Sequence, residues 1–184
     1  QPPLLGSLMP AALPLQARFA PAMKRLARIA GDTVFLMVRH GDEVQCDHRE
    51  VGGTLVKILT TDIGQRRLLG TGTGGVAVLG LIDDAELGAI WARNRTVYQE
   101  HGITRERLLA MAHAVRVRGL AITFDSFEPG VAGLGMGFRL GAHAMGALSI
   151  ATLTPRFGPE RQHELGELMA AEIMALGLRP MGRG

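Results

Sequence analysis

The chain has 184 residues, 47% hydrophobic and 20% charged, with a mean hydropathy of +0.17, which suits one well-packed domain and excludes a disordered ground state. A formal charge of +3 and a pI of about 9.7 raise the question of nucleic-acid binding. The basic residues are mostly Arg spread thinly, with Arg66-Arg67 as a local pair. No basic run alternates with aromatics as a strand-tracking groove requires, so the excess reads as a solvated surface.

Residues 1–14 are rich in Pro and apolar side chains and read as a linker or a helix entrance. From Leu15 to Ala30, the apolar positions Phe19, Met23, Leu26, Ala27 and Ile29-Ala30 recur near helical spacing, and Gly31-Asp32 ends the helix. Val34–Val38 and Glu43–Arg49, joined at Gly41-Asp42, predict a β-hairpin. Leu55–Leu59 is expected to be a third strand. Arg66–Leu69 then leads into the glycine-rich run Gly70–Gly75, and Val76–Leu81 is expected to be a short buried helix.

Acids at Asp83, Asp84 and Glu86 mark the start of a helix carrying Leu87, Ile90 and Trp91. Thr104–Arg107 opens another, with Leu108, Leu109, Met111, Ala112 and Val115 as its apolar face and Gly119 as its stop. Leu120–Phe124 is a strand, and Gly133–Phe138 and Met145–Thr152 form two antiparallel strands. A last helix runs from Pro159 to Leu176. Strands and helices are partly segregated, so the fold class is α+β, a sheet with helices on its faces.

Little assembles into catalysis. Cys46 is the single cysteine, which excludes an intrachain disulfide and a cysteine metal cage and suits a reducing cytoplasm. The histidines at 40, 48, 101, 113, 143 and 163 never take metal-ligand spacing, and reading them as surface or turn residues is the simpler account. Ser7, Ser126 and Ser149 lie in no nucleophile elbow. The loop Gly70–Gly75 lacks the Lys-Ser/Thr ending of a phosphate loop. It either lets backbone N–H groups approach a small anion or allows tight helix–sheet contact. Gly133, Gly135 and Gly137 alternate along one strand, which strips one face of side chains and marks the close approach of a ligand or backbone. No cofactor or metal is expected. No apolar run reaches the ~18–20 residues of a membrane span, and Gln1–Leu5 lacks the form of a signal peptide.

Five segments, in order, resemble the effector-binding domain of IclR-family bacterial regulators. Leu26–Val34 resembles L-A-x-x-T-G-E-T-V, and Gly64–Leu69 with Gly75-Val76-Ala77 resembles G-x-R-x-P-L-H…G-K-A. Ala114–Ala121 resembles V-R-x-x-G-Y-A, Glu128–Val131 resembles the E-x-G-V turn, and Gly146–Ile150 resembles A-A-L-S-V. The resemblance spans about residues 15–178. It implies a GAF-like curved antiparallel sheet and a homodimer or homotetramer. DNA would be reached only through an N-terminal winged helix-turn-helix for which no candidate precedes Leu15. Residues 1–30 are then a linker with its helix and 31–184 the effector-binding domain, either a piece of a longer protein or one reduced to its sensor.

The resemblance also implies an effector site at Thr73, Gly74, Thr123, Gly133, Ser149 and Ala151, to which Arg67 is added as a candidate charge partner. Thr123 replaces the family's Asp, Gly133 its Cys, Ala151 one serine, Gly70 the His of P-L-H and Val76 the Lys of G-K-A. These changes point to a less polar, roomier pocket for an organic carboxylate, aromatic acids included. Arg67 would supply the countercharge, unless it is simply an exposed arginine. The competing readings are an oligomerisation module with a degenerate pocket and a small enzyme using the same cavity.

Overall fold

The computed structural model describes residues 13–126 and 128–182. Six strands form one curled antiparallel sheet in the order β3-β2-β1-β6-β5-β4. They are β1 (Thr33–His40), β2 (Glu43–Glu50), β3 (Arg66–Leu68), β4 (Ala121–Phe124), β5 (Val131–Arg139) and β6 (Met145–Leu153). Helices α1 (Leu15–Ala30) and α6 (Pro159–Ala175) cover one face. Helices α2 (Thr73–Leu79), α3 (Asp84–Arg93), α4 (Arg95–Glu100) and α5 (Arg105–Arg118) cover the other.

Strand β1 runs through the centre, buried on both faces, which explains its unbroken apolar run. Val34, Leu36 and Val38 pack with Leu134, Met136, Phe138 and Leu148 beneath α1 and α6. Phe35 and Met37 point the other way, into the layer that holds α2. Helix α1 contributes Phe19, Met23, Leu26 and Ala30 to the first layer, with Phe19 stacked on Phe138 at 5.2 Å.

The predicted boundaries rest on identifiable caps. Gly31 stops α1 in the left-handed region at φ 76°, donating its N–H to Ala27 O at 2.8 Å. Asp83 accepts from the N–H of Glu86 at 2.8 Å, and Thr104 from that of Arg107 at 3.1 Å. Strand β4 starts one residue later than expected, at Ala121.

Leu55–Leu59 forms no strand. The segment is held instead to the end of α1: Thr54 donates its N–H and its hydroxyl to Gly31 O at 3.1 and 2.7 Å. Gly52 lies so close beneath that turn that a Cβ on it would stand 2.2 Å from Gly31 C. Drawn outward by this anchor, Leu55 is fully exposed, and Val56 and Leu59 are largely so. The short helix α2 also begins earlier than expected, at Thr73, taking in Gly74 and Gly75. Helix α4 was not expected; it buries Tyr98, whose hydroxyl donates to Leu69 O at 2.7 Å.

Gly133, Gly135 and Gly137 explain how α2 sits. A Cβ on Gly133 would fall 2.1 Å from Thr73 Oγ1, and one on Gly135 3.0 Å from Thr73 O. The face stripped of side chains is therefore occupied by the protein's own helix. Gly133→Ala is expected to destabilise the fold by about 1–3 kcal/mol, the range for forcing atoms into a packed core. Gly53→Ala, where a Cβ meets nothing within 4 Å, should stay within about 0.5 kcal/mol of the parent. Urea denaturation of the two variants checks the contrast.

Candidate functional site

Antiparallel register sets rows of residues across the sheet. Thr123, Gly133, Ala151 and Thr33 lie opposite one another on β4, β5, β6 and β1, and Gly135, Ser149 and Phe35 form the next row. Helix α2 lies on this track, and its residues Gly74–Leu79 are buried. The loop that delivers it turns at Gly70 and Gly72, both at φ 87°, a conformation that favours glycine. Thr71 pins the turn by donating its N–H and its hydroxyl to Leu68 O at 3.0 and 2.6 Å. Tyr98 holds the neighbouring Leu69 carbonyl from below.

A cleft opens at the start of α2. Its walls are Phe35 and Met37 of β1, Ser149 and Ala151 of β6, the loop Thr71–Gly75, Thr123 with Ser126, and Arg67 with Thr60 and Thr61. Six of the seven expected site residues line it. Gly133 does not; it lies under Thr73, where its lack of a side chain makes room for the helix.

The hydroxyls expected as ligand donors are partly engaged with one another. Thr73 Oγ1 and Thr123 Oγ1 are 2.7 Å apart, and this bond joins the first residue of α2 to the edge strand. Ser149 is buried beside the start of α2, its Oγ 3.6 Å from where a Cβ on Gly74 would stand. Arg67 donates through Nε to Thr61 Oγ1 at 3.3 Å and through a terminal nitrogen to Thr60 O. Burial lowers its pKa from the ordinary arginine value, with the Cys46 sulfur acting in the opposite direction. Arginine remains a cation at neutral pH, so the cleft contains a partly desolvated positive charge.

The cleft is narrower than the residue changes led us to expect, with a free interior of about 40 Å³, room for a few waters. Met37 takes up the space: its Cγ would stand 2.5 Å from a Cβ on Gly74. An aromatic acid does not fit without moving it. Methionine is flexible and fills irregular gaps, so it is also the wall most easily displaced.

Residues 10–174 match the family model for the bacterial transcriptional regulator IclR C-terminal domain. The chain belongs to that family. No curated protein matches the sequence. Among solved structures, this IclR domain is similar to a putative ICLR transcriptional regulator from Silicibacter sp. TM1040, with 20% identity, a TM-score of 0.78, and coverage of 90% of this chain and 66% of that one. It is also similar to the effector domain of the putative regulator IclR from Acinetobacter sp. ADP1, with 14% identity, a TM-score of 0.75, and coverage of 88% and 95%. Against the Thermotoga maritima IclR the values are 16%, 0.74, 88% and 66%. The chain thus spans just under two thirds of the first and third of these proteins. At such identities the likeness concerns the fold, which is the α+β fold with a curled antiparallel sheet expected from the sequence.

Several parts of the IclR domain's cleft were not anticipated: Phe35, Met37, Thr60, Thr61 and Ser126 as walls, and Tyr98 as the support of the loop. Only the alternation along β1, which puts Phe35 and Met37 on one face, carried a readable signal. Among the described residues no cluster of His, Cys, Asp and Glu could hold a metal ion, and no helix is long and apolar enough to cross a membrane. Cys46 is fully buried close to Arg67, and burial pushes its thiol up to about 11. At pH 8 a thiol reagent should leave native Cys46 unmodified and label it rapidly in denaturant; rapid native labelling, followed by absorbance, would contradict this burial.

Proposed function

We propose that the chain is the effector-binding and oligomerisation domain of an IclR-type transcriptional regulator, taking a small organic carboxylate in the cleft at the start of α2. The observation that carries this reading is a partly buried cation, Arg67, on the wall of the cleft, with the Thr73, Thr123 and Ser149 hydroxyls on its other walls. A carboxylate entering there meets the guanidinium in charge-assisted hydrogen bonds and offsets part of the cost of burying it. The free volume favours acids of two to four heavy carbons over aromatic ones.

In this reading the domain works as a homodimer or homotetramer, and DNA is bound by a separate N-terminal domain reached through residues 1–30. Residues 31–184 form the sensor, in the cytoplasm. Occupancy changes DNA binding only to the extent that the effector prefers one quaternary state over another. Helix α1, whose Phe19 and Met23 are embedded in the core, connects the two halves.

The Thr73–Thr123 bond and Met37 over Gly74 favour a second reading, an oligomerisation module whose pocket is closed. A thermal-shift titration separates them. Glyoxylate or pyruvate should raise the melting temperature by mass action, equivalent to about 2.7 kcal/mol at one hundred times Kd. Arg67→Gln should remove the shift, and Met37→Ala should extend it to benzoate. No shift with any acid would favour the closed module.

A further inference from the structure

A second cavity lies beside the cleft, across the Thr71-Gly72 turn, between α5 and the edge strand β4. It measures about 410 Å³, within the range of small-molecule sites, roughly 300–1,000 Å³. One stripe of α5 forms its long wall: Arg107, Met111, Ala114, Val115 and Arg118, positions that share a helix face. At 1.5 Å per residue the two arginines stand about 16 Å apart along the helix axis. Val76, Ile103 and Ala121 floor the space with buried apolar side chains.

The cations at its ends are lightly used. Arg107 makes one long bond, at 3.5 Å, to Gly102 O, and Arg118 forms no side-chain hydrogen bond or ion pair among the described residues. Asp125 is the acid on the wall, and it is engaged: its Oδ1 accepts the N–H of Gly130 at 2.7 Å. His101, also on the wall, places its Nδ1 2.9 Å from Val97 O. Arg107 stands in the first turn of α5, where the helix's partial positive charge adds to its own. Arg118 stands in the last turn, where the helix carbonyls offset its charge.

We propose that this groove is a second ligand site, for an amphipathic aryl carboxylate. The acid group meets Arg107, and the ring system lies along Met111, Ala114 and Val115. The site does not depend on the cleft reading, because Arg67, Phe35 and Met37 are absent from its walls. It does share Thr71, Gly72, Thr123 and Ser126 with the cleft, so an occupant leans on the same turn that closes the smaller space.

Isothermal titration with 2-naphthoate, joined to amide chemical-shift mapping on the whole chain, tests it. Arg107 is exposed, so Arg107→Glu leaves the core untouched, and Arg28→Glu on α1 repeats the charge change far from the groove. The expected result is binding to the parent chain, at least tenfold weaker in Arg107→Glu and within twofold of the parent in Arg28→Glu. The largest amide shifts should fall at Met111, Ala114 and Ile122. Absence of binding, or affinity indifferent to Arg107→Glu, overturns the proposal. So do largest shifts at Phe35 and Met37, which would place naphthoate in the smaller cleft.

Discussion

The closeness of α2 to the sheet is the constraint on which the rest of this domain depends. Thr73 rests on Gly133 at a separation that leaves no room for a single methyl group, and Ala77 lies less tightly over Gly135 and Gly137, 3.1 and 3.0 Å from where a Cβ would stand. Glycine in a strand interior costs backbone entropy and gives up packing area. That cost is offset here by burying six consecutive residues of a helix only seven long. A helix this short would not hold its shape alone. Its position is imposed by the sheet below, the turn at Gly70–Gly72 before it, and Tyr98 beneath Leu69.

The cleft is a consequence of that packing. Where α2 begins, the glycine track gives way to Ser149, Ala151 and Phe35, and the helix no longer fills the space. Among the residues facing the gap are a flexible methionine, several threonine and serine side chains and a partly desolvated arginine. The proposed recognition of a small anion uses this set: a charge partly withdrawn from bulk water, with hydroxyl groups around it.

Much of this was legible in the sequence, and the failures share a cause. Capping residues at Gly31, Asp83, Thr104 and Gly119 placed helix ends because their effect is local. Alternating glycines flagged β5 as unusual, but the sequence alone could not say whether a ligand or a helix came close. The expected strand at Leu55–Leu59 failed because a contact distant in sequence, Gly52 and Thr54 against the end of α1, overrides its β-propensity. The start of α2 was missed because Gly74 and Gly75 are poor helix formers, held helical only by the surface beneath. Of the site, the residues flagged by family position came together, apart from Gly133. Its true volume depends on where Met37 points, which no spacing rule encodes.

A crystal structure of the chain grown with pyruvate would test the central claim most directly, that the gap left at the start of α2 is the effector site. The account predicts pyruvate's carboxylate within hydrogen-bond distance of the Arg67 guanidinium, with the Met37 side chain swung away from Gly74. Pyruvate bound elsewhere, or a cleft still filled by Met37 at saturating acid, would contradict it.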